Sequence, residues 1–453
     1  MVKQLHAQWS SRLTFILAAV GSSVGLGNIW KFPYMTGESG GGAFVLIYLL
    51  CIFLVGIPIL MSEWLLGRIG QRNPISTMAS LTQRLKRSPA WVLIGVFGIL
   101  GAYLILSFYS VIGGWALAYI RLGAVNTFTG LESEAIGALF NDMLASPIRL
   151  LLWHSLFMIL TIGVVLGGVT GGLERATKTL MPTLVVLLIV LVGYAATLGA
   201  FAEGAAYLFT PDFSKLSSDG VLAAMGHAFF TLSLGMGVMI AYGSYLPKEV
   251  NIGRSAIIVV LMDTAIALMA GLAIFPVVFA NDLSPSSGPG LIFQTLPLAF
   301  GHMPGGWFFG LLFFILLVFA AWTSAISLLE PIVEWLEEKT PLSRLGATLI
   351  AGGATWALGI ATVLSFNVWA DVAPLGAFAK FDGMTIFALL DYFTSKLILP
   401  LTGLATVIFV GWRMSREEVR DNLNVGETAF GLWRFAARFI APLGVIAVFV
   451  VSL

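Results

Sequence analysis

The chain has 453 residues, of which 58% are apolar and only 10% are charged, and its formal net charge is +1. This composition excludes an ordinary soluble domain and is typical of an α-helical protein that crosses a membrane several times. The single cysteine, Cys51, excludes an internal disulfide, and the four histidines lack the spacing of metal ligands. We therefore expect an all-α polytopic membrane protein.

Apolar segments long enough to cross a bilayer recur along the chain and predict about eleven spans. Their approximate ranges are 13–35, 43–67, 91–120, 148–168, 179–200, 221–243, 255–280, 307–333, 346–366, 384–411 and 432–452. With the N-terminus in the cytoplasm, 18 of the 24 lysines and arginines fall on the cytoplasmic side, which predicts a C-terminus outside. The external connection 281–306 keeps several apolar residues and predicts a folded cap.

Helix-breaking residues interrupt span 1 near its middle. Residues 21–28 read GSSVGLGN, in which glycine, serine and asparagine all disfavour a helix. An unwound turn in hydrocarbon leaves backbone N–H and C=O groups without partners, unless it is buried in protein or lines a polar site. We therefore predict a broken helix with a binding site at the break.

The motif of this break recurs in span 6. Residues 23–27 read SVGLG and residues 233–237 read SLGMG, so both match S-x-G-x-G. Because five is an odd number of spans, copies five spans apart enter the membrane with opposite polarity, as in inverted repeats that place a site at the midplane. The predicted organisation is a first repeat at 1–200, an inverted second repeat at 201–411 and an additional span at 412–453. Chance similarity between two glycine-rich spans is the alternative.

A second cluster of helix-breaking residues reads GGVTGG at 167–172 and precedes Pro182. We interpret it as the loop and helix start between spans 4 and 5. A span 5 that melts locally at this point would open a water path from the cytoplasm.

Several specific motifs occur in order along spans 1 to 10. They are GSSVGLGNIWKFP at 21–33, GIP at 56–58, NP at 73–74, FFTLSLG at 229–235, YGSY at 242–245 and AAWTS at 320–324. With these motifs the chain resembles the neurotransmitter:sodium symporter family, and most of all its bacterial multi-hydrophobic amino-acid symporters. The resemblance implies a leucine-transporter-like fold of five spans and an inverted five. It also implies sodium-coupled symport of hydrophobic L-amino acids (Trp, Phe, Tyr, Leu and similar) by alternating access across the bacterial inner membrane.

Sodium is a hard cation that prefers oxygen ligands. By the resemblance, the first sodium position of the family maps onto Ser23, Asn28, Thr231, Ser233 and Asp263. The second sodium position maps onto Gly21, Val24, Ala320, Thr323 and Ser324. An unpaired carboxylate inside a membrane span costs ~2.5 kcal/mol or more, so Asp263 in the middle of span 7 indicates a functional site. The alternatives are a structural acid bonded to hydroxyls, and Thr or Ser hydroxyls that merely bond the carbonyl one turn back.

The family usually has an amide where this chain has Asp263, and its chloride-dependent members bind an anion nearby. The neighbouring polar positions of the family are occupied here by Ala267 and His227. Our hypothesis is that Asp263 itself supplies the negative charge. Transport then requires two sodium ions, no chloride and no organic cofactor.

A substrate carboxylate suits the free N–H groups of the broken span 1 at Leu26 and Gly27. Tyr109 matches the family tyrosine that also reaches this carboxylate. Gly25 lies where the monoamine carriers of the family keep an aspartate, so the substrate should bring its own carboxylate. The other predicted pocket residues are Ile105, Phe230, Thr231, Ser233, Met236, Ser324, Ala325 and Leu328. Because none of them is charged and methionine is deformable, we predict apolar side chains of varied bulk.

The family closes its outer gate with a cation in span 1 and an acid in span 10, which map onto Lys31 and Asp391. Lysine replaces the usual arginine and loses its bidentate geometry, which predicts a weaker or water-mediated gate. The matching residues of the inner gate are Trp9, Tyr245 and Glu338. His6 replaces the family arginine there, and for Lys396 we expect at most a structural ion pair.

The nearest alternative is a sodium-independent or proton-coupled amino-acid carrier of the same fold. Proton-coupled relatives commonly place a basic residue near the second sodium position, where this chain has Thr323 and Ser324. An intramembrane enzyme is disfavoured, because the sequence places no Ser–His pair, paired acids or metal cluster at one depth of the membrane. A channel is disfavoured because it does not need a binding site between two gates. The expected partners are the amino acid and the lipid bilayer, with no nucleic acid and no obligatory protein.

Overall fold

The computed structural model describes residues 8–285 and 290–452. Within these residues, nine helices are long and apolar enough to cross a membrane, and a helix pair bent by 46° makes a tenth span. The bent pair, Arg12–Ser23 and Gly27–Glu38, is span 1. Spans 2 to 5 are Gly42–Gly70, Pro89–Ala124, Pro147–Leu166 and Val169–Ala196, and spans 7 to 11 are Ile252–Phe279, Gly306–Lys339, Arg344–Leu364, Ile386–Arg413 and Glu427–Val450. Span 6 consists of Ser218–Thr231 and Val238–Ser244, each too short to cross alone, and it completes the predicted eleven.

The connections between the spans carry short helices. These are Pro74–Arg84, Ser133–Ala145, Phe201–Phe209, Phe213–Lys215, Leu291–Thr295 with Leu296–His302, Ala379–Phe381 and Arg416–Leu423. The helix pair that begins at Leu291 buries Leu291, Ile292 and Phe293 completely. The predicted folded cap is therefore present in the described part of its loop.

Span 5 begins about ten residues earlier than its apolar segment indicates. Gly168, with a φ of 69°, makes the turn after span 4, and a π-helical turn at Val169–Leu173 leads directly into Glu174–Ala196. Pro182 lies inside this helix. The cluster at 167–172 is thus a turn at its first two residues and a helix start at the next four, as its interpretation as loop and helix start predicts. Because the first N–H groups of a helix have no internal partner, glycine and threonine are tolerated in that turn.

Packing around span 1 determines where the buried polar residues meet. The first half of span 1 packs against spans 5, 7 and 8, and spans 3 and 8 lie side by side along their length. At these contacts Asn28 and Asp263 are 0% exposed and Thr323 is 1% exposed. Buried polar groups need partners, and these partners converge at the two broken helices.

Candidate functional site

The break in span 1 is shorter than its sequence indicates. The helix Arg12–Ser23 ends at Val24, whose φ of −76° and ψ of 109° are extended, and helical structure resumes at Gly27. Gly21 and Ser22 are still helical. Gly21 packs against side chains of span 5, so tertiary contact overrides its low helix propensity.

Side chains replace the hydrogen-bond partners that the break removes. The Gly25 N–H donates to Asn28 Oδ1 at 3.0 Å, and the Leu26 N–H donates to Tyr109 Oη at 2.9 Å. A Cβ on Gly25 would lie 2.3 Å from Ser324 Oγ and 2.5 Å from Tyr109 Oη. A larger residue here would have to displace the ends of the Ser324 and Tyr109 side chains.

The break in span 6 lies directly against the break in span 1. Six residues separate its helical halves, and three of them, Ser233, Gly235 and Gly237, have φ values of 54°, 73° and 72°. The Gly235 N–H donates to Glu63 Oε1 of span 2 at 2.7 Å, and Ser233 Oγ donates to the Ser22 carbonyl at 2.9 Å. The predicted pair of broken helices is thus confirmed.

Asp263 of span 7 is the centre of one polar cluster. Its Oδ1 accepts from Asn28 Nδ2 at 2.8 Å and from Thr231 Oγ1 at 3.1 Å. The Ser23 hydroxyl is buried and makes no hydrogen bond within the described residues. Ser233, in contrast, bonds Ser22 and has no hydrogen bond to Asp263 in the described chain. Three side chains predicted for the first sodium position therefore meet at one end of the span 1 break, Asn28 through its amide nitrogen and Thr231 through its hydroxyl on the Asp263 carboxylate.

A second cluster joins span 8 to the same break. Thr323 Oγ1 lies 3.5 Å from the Val24 carbonyl oxygen and 3.1 Å from that of Ala320, and Ser324 Oγ lies 3.2 Å from the Val24 carbonyl oxygen. Thr323 also bonds the carbonyl one turn back at 3.0 Å, as the structural alternative predicts. No hydrogen bond in the described chain joins Gly21 to these hydroxyls.

Residues of both clusters line a small cavity of about 20 Å³. Nine of the predicted pocket residues line it: Gly25, Gly27, Ile105, Tyr109, Phe230, Ser233, Met236, Ser324 and Leu328. Ser22 and Ser23 also line it and were not predicted to do so. Leu26, Thr231 and Ala325 do not, because Leu26 offers only its N–H, Thr231 turns to the carboxylate cluster and Ala325 is buried in span 8. Since one water already needs ~10–15 Å³, these walls must separate to admit an amino acid.

A direct ion pair joins spans 1 and 10 beyond Phe230, which is one of the residues that line this cavity. Lys31 Nζ lies 2.9 Å from Asp391 Oδ1 and 4.7 Å from the centre of the Phe230 ring. Phe230 separates the small cavity from a wider one of about 280 Å³. The contact is direct, so the predicted water-mediated form is not the one present. Lys396 lies 5.2 Å over the Tyr392 ring and, in the part of the chain described, makes no ion pair.

Trp9 packs against the second half of span 6. Its Nε1 donates to the Tyr242 carbonyl at 3.1 Å, and its backbone N–H donates to the Tyr245 carbonyl at 3.2 Å. Trp9 is only 3% exposed. His6 lies outside the described residues. Trp9 and Tyr245, both predicted at the inner gate, are therefore in contact.

Buried acids that were not predicted from the sequence hold the surrounding helices. Glu330 of span 8 forms an ion pair with Arg344 and accepts from the Tyr245 hydroxyl at 3.2 Å. Glu338, which was predicted at the inner gate, accepts from the Asn73 N–H at 2.8 Å. Glu63 carries the same signal as Asp263, a lone acid within an apolar span, and that signal could have identified it, whereas Glu330 is the first of four acids at the end of span 8.

A model of the sodium:neurotransmitter symporter family matches residues 6–131 and 144–453. The chain belongs to this family. The sodium-dependent transporter YhdH of Bacillus subtilis is 40% identical over 99% of this chain and 98% of its own length. A sodium-dependent transporter of Haemophilus influenzae is 35% identical over 98% of each chain. The crystal structure of MhsT in complex with L-phenylalanine is 43% identical, covers 99% of this chain and 100% of its own, and superposes with a TM-score of 0.91. The protein is a multi-pass, sodium-dependent membrane transporter with the leucine-transporter-like fold.

Proposed function

We propose that this symporter carries hydrophobic L-amino acids together with two sodium ions and requires no chloride. The observation that carries the substrate class is the close approach at Gly25, where a Cβ would already lie 2.3 Å from Ser324 Oγ. Because residue 25 is a glycine, it offers no carboxylate to neutralise an amine, so the substrate has to supply its own carboxylate. MhsT, which is similar over nearly the whole chain, was crystallised with L-phenylalanine.

The substrate carboxylate replaces a contact within the protein. The Leu26 N–H now donates to Tyr109 Oη at 2.9 Å. A carboxylate oxygen placed between them accepts from both the N–H and the tyrosine O–H, and hydrogen bonds to a charged acceptor are about twice as strong as neutral ones. Binding therefore separates span 1 from span 3 at this point and opens the small cavity.

The substrate side chain occupies the apolar part of the cavity. Ile105, Phe230, Met236 and Leu328 form this wall, and none of them carries a charge. Burying a charged side chain against them would leave it without a partner. Met236 has flexible torsions and adapts to rings or branched chains, which supports a broad apolar range including Trp, Phe, Tyr and Leu.

The two polar clusters supply the oxygens that suit sodium. For the first ion we propose Asp263, Asn28, Thr231, Ser233 and the Ser23 carbonyl, and for the second the carbonyls of Gly21, Val24 and Ala320 with the hydroxyls of Thr323 and Ser324. Each set joins the span 1 break to another helix, so ion binding and the closed break stabilise each other. Two sodium ions and a zwitterionic substrate together carry two positive charges across the membrane. A membrane potential of 100 mV then contributes ~4.6 kcal/mol, which corresponds to about a thousandfold accumulation of the substrate. The N-in, C-out orientation and the repeats at 1–200 and 201–411 belong to the same proposal.

Uptake into proteoliposomes tests the coupling. We expect radiolabelled tryptophan and leucine to accumulate with an inward sodium gradient and not with a potassium gradient of equal size. Asp263→Asn should lower sodium-driven uptake at least tenfold, because a loss of about 1.4 kcal/mol in the free energy of sodium binding lowers the affinity tenfold. The exposed carboxylate Asp142 is the control, and Asp142→Asn should leave uptake unchanged. Uptake that is indifferent to sodium or that follows a proton gradient contradicts the proposal.

Anion replacement tests the role of Asp263 separately. If its carboxylate supplies the negative charge, uptake rates in chloride and in gluconate should be equal. A steep chloride requirement in the wild-type protein would overturn this part of the proposal and leave sodium coupling standing.

A further inference from the structure

An apolar groove lies between spans 3 and 10, away from the transport site. It has a volume of about 380 Å³, and its walls include Trp91, Leu93, Phe97, Leu401 and Ala405. Leu93 and Leu401 are each 49% exposed and Phe97 is 42% exposed. The groove therefore opens at the outer surface of the helix bundle.

Two arginines lie at the end of this groove. The Arg413 guanidinium lies 5.9 Å over the ring of Trp91, which lines the groove. Arg87 donates from Nε and Nη2 to the Arg413 carbonyl at 3.3 and 3.2 Å. Within the described chain neither guanidinium pairs with a carboxylate, whereas the nearby Arg84 pairs with Glu418. Two exposed guanidiniums without a carboxylate partner among the described residues thus lie next to the groove, one over Trp91 and one on the Arg413 backbone.

We propose that this groove binds one phospholipid with an anionic headgroup. An acyl chain lies against the apolar walls, and the phosphate is bound by Arg87 and Arg413, since guanidinium groups bind phosphate oxygens with charge-assisted hydrogen bonds. Trp91 lies between chain and headgroup, where tryptophan is enriched in membrane proteins.

The charge of the site selects the headgroup. A zwitterionic headgroup brings its own ammonium group, which two guanidiniums repel, while each arginine near a membrane surface favours an anionic lipid. By the distribution of basic residues, this end of the protein faces the cytoplasmic leaflet. Phosphatidylglycerol has the required chemistry.

Native mass spectrometry of the full-length protein in detergent tests the proposal. Phosphatidylglycerol should remain bound, and phosphatidylcholine with the same acyl chains should not. The double variant R87Q/R413Q should bind phosphatidylglycerol about 25-fold more weakly, from ~1 kcal/mol for each arginine. The matched control R84Q/R416Q removes two charges from the same end, but from arginines already paired with Glu418 and Glu427, and should stay within about twofold of wild type. Ala405→Phe fills the groove and should release the lipid with all four arginines in place.

Equal retention of the two lipids, or unchanged binding by R87Q/R413Q, overturns the proposal. A dimer that persists when the lipid is removed would assign the groove to a second copy of the chain instead. If the double variant does not fold, Trp91 fluorescence provides a second test. The fluorescence of the Trp91→Phe variant is subtracted from that of the wild type, and the difference is the contribution of Trp91. Brominated phosphatidylglycerol should quench this difference more strongly than brominated phosphatidylcholine, and equal quenching also contradicts the lipid site.

Discussion

The breaks in spans 1 and 6 share the motif S-x-G-x-G but differ in geometry. The middle glycine of the first motif, Gly25, is needed for space, because a Cβ would meet the ends of two side chains. The middle glycine of the second, Gly235, has a φ of 73°, and its Cβ would lie 2.2 Å from the Leu399 carbonyl oxygen. One break is thus shaped by side chains that can move and the other by backbone that cannot.

This difference separates the roles of the two breaks. The freed N–H groups of span 1 bond to Asn28 and Tyr109, side chains that a ligand can replace. The freed N–H of Gly235 bonds to Glu63, which is completely buried in span 2. We infer that the span 1 break exchanges partners during transport and that the span 6 break holds its shape.

The largest expected effect on stability is that of Gly235→Ala. Left-handed backbone costs an alanine about 1–2 kcal/mol, and the overlap with a fixed carbonyl adds about 1–3 kcal/mol. Denaturant titration in detergent should show this loss in the free energy of unfolding. Gly226→Ala in the helical half of the same span, where the nearest atom to a Cβ is 3.4 Å away, is the control and should be neutral. Equal stability of both variants would show that the span 6 break is adaptable after all.

Replacement of Glu63 should have the next largest effect. Glu63→Leu leaves the buried Gly235 N–H without an acceptor, which costs about 1–3 kcal/mol in the free energy of unfolding. Glu63→Gln keeps a carbonyl oxygen at 2.7 Å from that nitrogen and should recover most of the loss. If glutamine and leucine destabilise the protein equally, the charge of Glu63 matters rather than its hydrogen bond.

Gly25→Ala should have the smallest effect on stability and a large one on transport. Its methyl group displaces the ends of the Ser324 and Tyr109 side chains, so we expect a loss of about 1 kcal/mol in stability but more than tenfold in substrate affinity. Isothermal titration with tryptophan measures the affinity. Gly27→Ala, with its nearest neighbour at 3.4 Å, should reduce affinity less. Tight tryptophan binding by Gly25→Ala would contradict the substrate pocket.

Much of the site was predictable because its signals are local. Glycine and serine inside an apolar span predict a break, and a lone acid at depth such as Asp263 predicts a polar cluster. The approach of Lys31 to Asp391 required the family resemblance, since 360 residues separate them. Thr231 was placed in the pocket although its hydroxyl bonds Asp263, because motif positions do not state which way a side chain turns.

The sequence by itself determined the membrane class, the eleven spans and the two breaks, since these follow from hydrophobicity and helix propensity over short stretches. Tertiary structure decided where each break begins and what replaces its hydrogen bonds. Gly21 stays helical because span 5 packs on it, and Gly235 is held by an acid 172 residues away. The packing of helices that are distant in sequence determines which groups lie close to each break. Because every buried backbone N–H and C=O needs a hydrogen bond, those nearby groups become its partners.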